Sequence, residues 1–207
     1  MHTCEISRKN KLLSSMFLFV FLATTACDAT FKGKVIDADT KQPIEGAVVI
    51  AAWHEEQAIP TGSTTRLKDV KETLTDKNGE WVIQGPKGRD MGNISAIFTL
   101  LAGTYITNPP EFIVFKPGFC SWPAGFGIEA CKGKIKPEGN DKVAEGVTVE
   151  LPRLMNREDR KRSLPSPFHK EGNGNFYSKQ GAFIKLINEE SRNIGISEYD
   201  TLKRYEK

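Results

Sequence analysis

Residues 31–54, which read FKGKVIDADTKQPIEGAVVIAAWH, contain the pattern that decides the fold. The β-favouring residues 31–36 predict a first strand, and the apolar, β-branched run at residues 46–53 predicts a second. Residues 37–43 between them are rich in Asp, Thr and Pro, which favour turns. This stretch therefore predicts two successive strands joined by a polar connection.

Further strands are expected downstream, at residues 70–74, 81–83, 111–115 and 147–151. The dipeptide Asn78-Gly79 is the strongest hairpin signal in the chain, because it readily adopts the positive φ of a tight turn. Residues 55–68 are polar and contain Pro60 and Gly62, so we expect a loop there.

Short strands separated by turns, with no long helical period between them, are typical of an antiparallel sandwich. We therefore predict an all-β, antiparallel β-sandwich of about seven strands over residues 31–151. The apolar run within residues 86–110 has no periodicity that settles its state, and we interpret it as an insertion packed over one end. The residues expected to be buried are Ile36, Val48, Ile50, Trp81, Ile83, Ile113, Phe115, Val147 and Val149.

The composition changes at residue 152, where charge-dense, then Pro/Ser-rich and Gly/Asn-rich segments follow one another. We interpret residues 152–207 as a polar, weakly ordered C-terminal extension. Residues 182–188 could form a short helix that docks through Phe183 and Ile187. The basic residues within 153–162 favour a solvated, partly helical linker over a patch for anionic lipid headgroups or an acidic polymer.

Residues 1–26 have the order of features of a secretory signal peptide. Arg8, Lys9 and Lys11 form a cationic start, and an uncharged, mostly apolar run with small residues at its end follows. This run is shorter than the roughly 20 residues that a helix needs to span a bilayer. We therefore predict an exported chain.

The residues before Cys27 resemble a bacterial lipobox, in which a cysteine preceded by small residues is diacylated before cleavage. Thr25 and Ala26 suit the small-residue positions, whereas Thr24 stands where an aliphatic residue is usual. The resemblance implies a lipid on Cys27, a lipidated linker at residues 27–30, and a location in the bacterial cell envelope. The chain would be anchored to a membrane and face the periplasm or the exterior. Ordinary cleavage near Ala26 is the alternative.

Cysteine counting favours the lipid. Cleavage after Ala26 would remove Cys4 and leave Cys27, Cys120 and Cys131, an odd number for an exported chain. If Cys27 carries a lipid, Cys120 and Cys131 can form a disulfide in an oxidising compartment. The alternative is two reduced, buried cysteines.

Residues 119–127, which read FCSWPAGFG, form the most unusual aromatic stretch. Exposed Trp122 and Phe126 would be a candidate binding surface that stacks on sugars or contacts a partner protein. Alternatively, the two side chains cover one end of the sandwich. The predicted disulfide would hold this loop at the edge of the sandwich.

Four segments in order resemble the carboxypeptidase regulatory-like domain. They are GKVID at residues 33–37, PIEGAVV at 43–49, TDKNGEW at 75–81 and FKPGF at 115–119. The resemblance covers about residues 31–151 and implies a transthyretin-like (prealbumin-like) β-sandwich. It implies a fold and leaves the activity open.

This sequence lacks the catalytic residues of the enzyme classes that have related folds. A zinc carboxypeptidase needs clustered His and Glu ligands, but neither His54 nor His169 has a Glu at the usual three-residue offset. Glu55 and Glu56 fit a solvated strand end better than a ligand pair. Hydroxyisourate hydrolases end in Tyr-Arg-Gly-Ser, whereas this chain ends in RYEK. Intradiol dioxygenases bind iron through two Tyr and two His, including a His-x-His pair that is missing here.

We therefore expect no enzymatic activity, metal or cofactor. The net charge of +3 is no nucleic-acid signature, and a composition of 39% hydrophobic residues is far from that of a polytopic membrane protein. Two functions remain open. One is a non-catalytic, lipid-anchored envelope module that binds protein or glycan or has a structural role. The alternative is a divergent envelope hydrolase with an unrecognised site.

Overall fold

The computed structural model describes residues 29–86, 105–124, 127–137, 146–169, 176–196 and 202–206. The strands within these ranges are β1 (Thr30–Asp37), β2 (Val48–Ile59), β3 (Gly62–Leu74), β4 (Glu80–Gln84), β5 (Ile106–Thr107), β6 (Glu111–Phe115) and β7 (Val147–Leu151). The helices are α1 (Arg157–Arg162) and α2 (Gly181–Asn193), and short 3-10 helices lie at Glu129–Cys131, Phe176–Lys179 and Lys203–Tyr205. The fold is mostly β and sandwich-like. Both helices lie in the C-terminal extension, beyond the residues predicted to be all-β, and α2 includes the short helix expected at residues 182–188.

The first sheet has three described strands in the order β4-β1-β7. Strand β1 is antiparallel to β4, with Gly33 opposite Trp81, and parallel to β7, with Val35 opposite Val149. The predicted antiparallel arrangement is therefore correct for every described strand pair except β1 and β7. Since β1 is central, both of its edges are covered and its inward side chains are buried.

The second sheet is built around β2, which pairs along its whole length with β3. On the other edge of β2, β6 lies beside residues 48–52 and β5 lies beside residues 55–56. The register shifts between Trp53 and His54. All the described strand pairs of this sheet are antiparallel.

Alternation along β2 separates two apolar clusters. Val49, Ala51 and Trp53 point into an inter-sheet core with residues such as Val35, Trp81, Phe112, Val149 and Leu151. The intervening residues point the other way, into a helix-facing core that contains Val48, Ile50, Ala52, Leu67, Val70, Phe115, Phe183 and Ile187. Both faces of β2 are thus buried, which explains its continuous apolar run.

The burial predictions are correct for most positions. Val48, Ile50, Trp81, Ile83, Phe115 and Val149 are buried. Ile36, Ile113 and Val147 are only half-buried.

The predicted loop at residues 55–68 is wrong. These residues continue β2 to Ile59, turn at Pro60 and Thr61, and begin β3 at Gly62. Direct pairing of Ile59 with Gly62 keeps the hairpin regular to its tip. Of the two residues that suggested a loop, Pro60 lies in the two-residue turn and Gly62 is the first residue of β3.

The Asn78-Gly79 turn is present, but it does not close a hairpin within one sheet. It connects β3 of the second sheet to β4 of the first. The Asp76 carboxylate accepts hydrogen bonds from the backbone N–H of Asn78 (2.9 Å) and Glu80 (2.8 Å), and Gly79 adopts a φ of +74°. The turn itself was predicted correctly. The prediction that its two flanking strands pair with each other was wrong, because they lie in different sheets.

The C-terminal extension is not a loose tail where the structure describes it. Helix α2 is longer than the predicted segment, and Phe183 and Ile187 dock it on the second sheet as expected. Glu72 of β3 accepts hydrogen bonds from the backbone N–H groups of Ala182 and Phe183, both at 3.0 Å. A carboxylate at the start of a helix satisfies free N–H groups and complements the helix dipole.

Candidate functional site

The predicted disulfide is confirmed. Cys120 and Cys131 are bonded, with a Cα–Cα distance of 6.1 Å, and both residues are buried. Cys120 follows the turn after β6, and Cys131 ends a 3-10 helix. The bond therefore holds two loop segments against the inter-sheet core.

Trp122 does not form an exposed binding surface. Its side chain is only 1% exposed, and its Nε1 donates a hydrogen bond to the Pro137 carbonyl at 2.8 Å. Its backbone pairs with Val114, so the residue continues the edge of the second sheet. Trp122 instead helps to close the core, as the alternative interpretation of this stretch expected. Phe126 lies outside the described residues.

The other tryptophans are core residues as well. Trp53 and Trp81 are buried and form an aromatic cluster with Phe31 and Phe112, with ring-centroid distances of 5.4–6.2 Å between neighbours. Edge-to-face and tilted pairs of this kind stabilise a core beyond their buried area. The cluster lies at the end of the sandwich where β1 begins.

The distal hairpin, defined here as residues 55–66, extends beyond both apolar clusters. None of its residues belongs to either core. Instead, Glu55 accepts hydrogen bonds from Arg66 Nε (3.0 Å) and Nη2 (2.8 Å), and its other oxygen contacts Lys68 Nζ at 3.0 Å. Lys68 also donates to Thr107 Oγ1 at 2.7 Å. This network joins β2, β3 and β5.

The charge state of Glu55 follows from these contacts. Burial by itself raises the pKa of Glu55, but the hydrogen bonds from Arg66 and Lys68 outweigh burial and hold that pKa below its ordinary value. The carboxylate is therefore ionised at neutral pH. The pKa of Arg66 is raised in turn, chiefly by its hydrogen bond to Glu55.

Tyr105 covers one side of this network. The Arg66 guanidinium lies 3.8 Å from the centre of the Tyr105 ring, a cation–π stack. Tyr105 remains 38% exposed, and Ile59 at the hairpin tip is 37% exposed. The distal hairpin thus presents an aliphatic tip, and the paired charges at its base lie beside the partly exposed Tyr105 ring of the segment that precedes β5.

Glu56 points to the edge next to β5. Asn108 Nδ2 donates to Glu56 Oε2 at 3.4 Å. Hydrogen bonds from Ser63 and Asn108 hold the pKa of Glu56 below its ordinary value. Glu55 and Glu56 are therefore both fixed by hydrogen bonds, and the expectation of a simple solvated strand end understates their contacts.

His54 lies where the second sheet leaves the core. Its Nδ1 is 3.9 Å from Glu111 Oε1, and its ring packs edge-on against Phe168 of the C-terminal extension. Within the described part of the chain, no three His, Cys, Asp or Glu side chains lie close enough together to hold a metal ion.

The basic residues of the extension form intramolecular contacts. Arg153 Nε donates to Asp37 Oδ2 at 2.7 Å, and its guanidinium lies over the Phe119 ring. Arg157 Nε donates to the Ile194 carbonyl at 2.7 Å, at the end of α2. The segment is partly helical and solvent-exposed, as expected, and no residue of α1 is buried. It is more than a linker, since these arginines tie the extension to the sandwich and to itself.

Asp37 is the buried partner at the end of β1. Burial raises the pKa of Asp37, but hydrogen bonds from the Thr40 N–H, Arg153 and the Asp39 N–H outweigh burial and lower it overall. The backbone bonds are 3.0 Å and 2.9 Å long. This carboxylate fixes the turn after β1.

Sequence reasoning missed the distal hairpin because Pro60 and Gly62 dominated the interpretation of residues 55–68. A signal was present, since Ser63, Thr64 and Thr65 precede Arg66 in a β-favouring run directly after a two-residue turn. The ion pairs could not be found from sequence, because Glu55 and Arg66 meet only when the strands are in register.

The predicted signal peptide at residues 1–26 and the lipid site at Cys27 lie outside the described residues. No helix in the described part of the chain is both long and apolar enough to cross a membrane.

No protein-family model and no curated protein matches this chain significantly. Among solved structures, the chain is similar to catechol 1,2-dioxygenase from Acinetobacter radioresistens, at 16% identity over 69% of this chain and 55% of that chain, with a TM-score of 0.31. It is also similar to 3-chlorocatechol 1,2-dioxygenase from Rhodococcus opacus 1CP, at 18% identity over 60% and 59%, with a TM-score of 0.29.

A 9R-lipoxygenase from Cyanothece PCC8801 is similar at 14% identity over 97% of this chain and 27% of that chain, with a TM-score of 0.29. The chain thus spans little more than half of the dioxygenases and about a quarter of the lipoxygenase. At these identities and TM-scores, the similarity assigns neither a family nor an activity to this chain.

Proposed function

We propose that this protein is an exported, lipid-anchored, non-catalytic module of the bacterial cell envelope. The observation that carries the proposal is the Cys120–Cys131 disulfide. Structural disulfides belong to oxidising compartments such as the periplasm and are rare in the cytosol. The bond uses two of the three cysteines that would remain after signal cleavage, which leaves Cys27 for the lipid.

Asp37, Glu55 and Glu56 do not have the properties of a general acid or base. The pKa values of Asp37, Glu55 and Glu56 are all held below the ordinary range. A general acid or base works best with a pKa near the operating pH. Each of these groups is instead ionised and engaged by donors that fix neighbouring strands or turns.

The finer fold assignment, a transthyretin-like sandwich, belongs to the same proposal. The four sequence segments that resemble the carboxypeptidase regulatory-like domain support it. Two of them carry structural roles here, since the TDKNGEW segment forms the connection between the sheets and the FKPGF segment the turn after β6. An experimental structure in which the described strands pair in another order would contradict it.

The proposed partners are the membrane, through the lipid on Cys27, and an envelope protein or glycan. The anchor is tested by metabolic labelling with an alkynyl palmitate analogue, followed by membrane fractionation. We expect the wild-type chain to be labelled and to lose residues 1–26. Because diacylation precedes cleavage, Cys27→Ser should lose the label and keep residues 1–26. Cys4→Ser is the matched control, because that cysteine lies within the segment expected to be removed. Cleavage and acyl labelling of Cys27→Ser at the wild-type level would contradict the proposal.

A further inference from the structure

The start of β1 and the distal hairpin lie at the same end of the sandwich. The Phe31 ring, one residue after the start of β1, is 6.2 Å from Trp53 and 5.4 Å from Phe112. Strand β1 runs from this end to the turn after Asp37, where Ile36 bridges Pro43. Strand β2 then returns to this end and continues past Trp53 to Ile59.

The hairpin protrudes well beyond the start of β1. Ile59 is six residues after Trp53 and, at the rise of a β-strand, these six steps span about 20 Å. The strands remain paired to the tip, with Ala58 opposite Ser63 and Ile59 opposite Gly62. The protrusion is thus a paired two-stranded ribbon rather than a flexible loop.

The connection to the proposed lipid is shorter than this ribbon. Thr30 is three residues after Cys27, and three fully extended residues reach at most about 10 Å. If the acyl chains of Cys27 lie in the bilayer, the start of β1 is held close to the headgroups. When the sandwich stands with this end toward the bilayer, a ribbon that protrudes further than the linker reaches meets the membrane surface.

We propose that the distal hairpin is a second membrane contact, which lies in the headgroup region of a phospholipid bilayer and orients the sandwich. This inference rests on the proposed lipid at Cys27. The chemistry of this region is suitable, since Ile59 at the tip is partly exposed and, at the base of the hairpin, Arg66 stacks on the partly exposed ring of Tyr105, which precedes β5. Tyrosine and long cationic side chains favour the membrane–water interface.

The charges at the base of the hairpin are partly paired. Arg66 and Lys68 neutralise Glu55, whereas the ionised Glu56 accepts hydrogen bonds from the uncharged Ser63 and Asn108. Burial of one aliphatic tip and one ring would be too weak to hold a free protein on a membrane. Contacts of this size orient a chain that a lipid already anchors.

The test uses the acylated full-length chain in vesicles of phosphatidylethanolamine and phosphatidylglycerol that contain lipids with a nitroxide near the headgroup. A fluorescent maleimide is attached at Ile59→Cys or, separately, at Thr61→Cys in the same turn. Met155→Cys is the matched control, because Met155 is 92% exposed. It follows the C-terminal end of β7, which lies at the other end of the sandwich from the start of β1. The native cysteines of the described fold do not react, since they are bonded to each other.

We expect quenching at positions 59 and 61 to exceed that at position 155 by about twofold or more, because interfacial groups lie within the reach of shallow quenchers. Equal quenching at all three positions, in chains that carry the acyl label and remain on the vesicles, would overturn the hairpin contact and leave the lipid anchor standing. Absence of the acyl label from Cys27 would overturn the anchor and, with it, this contact.

Discussion

Gly33 shows how one residue decides the spacing of the first sheet. A Cβ atom on Gly33 would lie 2.5 Å from the Val147 carbonyl oxygen and 2.8 Å from the Trp81 ring. These atoms belong to β7 and β4, on the two sides of β1. Any larger residue would therefore push apart a buried ring and a paired backbone at once.

We predict that Gly33→Ala destabilises the protein by about 1–3 kcal/mol, the usual cost of overpacking a core. Urea unfolding measures the change. Thr148→Ala, an exposed substitution on β7, is the control and should stay within about 0.5 kcal/mol of the wild type. An unchanged unfolding midpoint for Gly33→Ala would show that the sheet has room at this position.

The pH dependence of stability follows from Asp37. The pKa of this carboxyl is lower in the folded chain than its ordinary value of 3.8, so the unfolded chain binds more protons in acid. Its contribution is complete above the ordinary carboxyl range and is lost as the pH falls through the folded pKa. Asp37→Asn should therefore cost stability at neutral pH and less at a pH well below 3.8, by the same linkage.

Urea unfolding at both pH values measures this difference. Asp39→Asn is the control, because Asp39 is an exposed acid in the same turn. An equal loss for Asp37→Asn at both pH values would mean that the ionised form of Asp37 contributes nothing.

At the scale of elements, the two helices are joined by a buried ion pair. Arg160 of α1 donates from Nε (2.7 Å) and Nη2 (2.6 Å) to the two oxygens of Glu190 of α2, whose side chain is only 2% exposed. Such a pair is costly to break, because removal of one partner leaves a charge without water or counterion.

Arg160→Met should destabilise the protein by about 3–5 kcal/mol, because it leaves the buried Glu190 unpaired. The double variant Arg160→Met/Glu190→Leu should recover most of that loss. Arg162→Met, at the exposed end of the same helix, is the control. Both effects are measured by urea unfolding, and a double variant no better than the single one would argue against an unpaired charge as the cause.

The disulfide acts on the loops that close the inter-sheet core. Replacing both Cys120 and Cys131 by Ala should cost about 3 kcal/mol in the chain-entropy account of a short closed loop. A reductant should lower the thermal midpoint of the wild type to about that of the double variant. It should leave the thermal midpoint of the double variant unchanged. If a reductant also lowers the thermal midpoint of the double variant, the effect of the reductant does not come from this disulfide.

At the scale of the whole molecule, the C-terminal extension completes the fold. Helix α2 covers the face of the second sheet formed by Val48, Ile50 and Phe115, and Phe183 packs edge-on against Phe115. Without the extension, this face would be a contiguous apolar patch in water. Patches of this kind promote association.

We predict that a chain ending at residue 151 aggregates or binds a hydrophobic dye strongly. A chain ending at residue 196, which keeps α1 and α2, is the control and should remain soluble. Size-exclusion chromatography and dye fluorescence distinguish the two. A monomeric, dye-free chain ending at residue 151 would show that the sandwich is complete without its extension.

The sequence by itself determined the β character of residues 31–151, most of the strand positions, the disulfide pair and the docking residues of α2. These follow from local properties, namely side-chain alternation, turn-forming residues and cysteine count. The tertiary structure decided the rest. The connection after β3 leads to the other sheet, Trp122 turns inward, and Glu55 meets Arg66 across a ribbon that was expected to be a loop. Each depends on which distant strand or loop supplies the partner, and no local pattern carries that information.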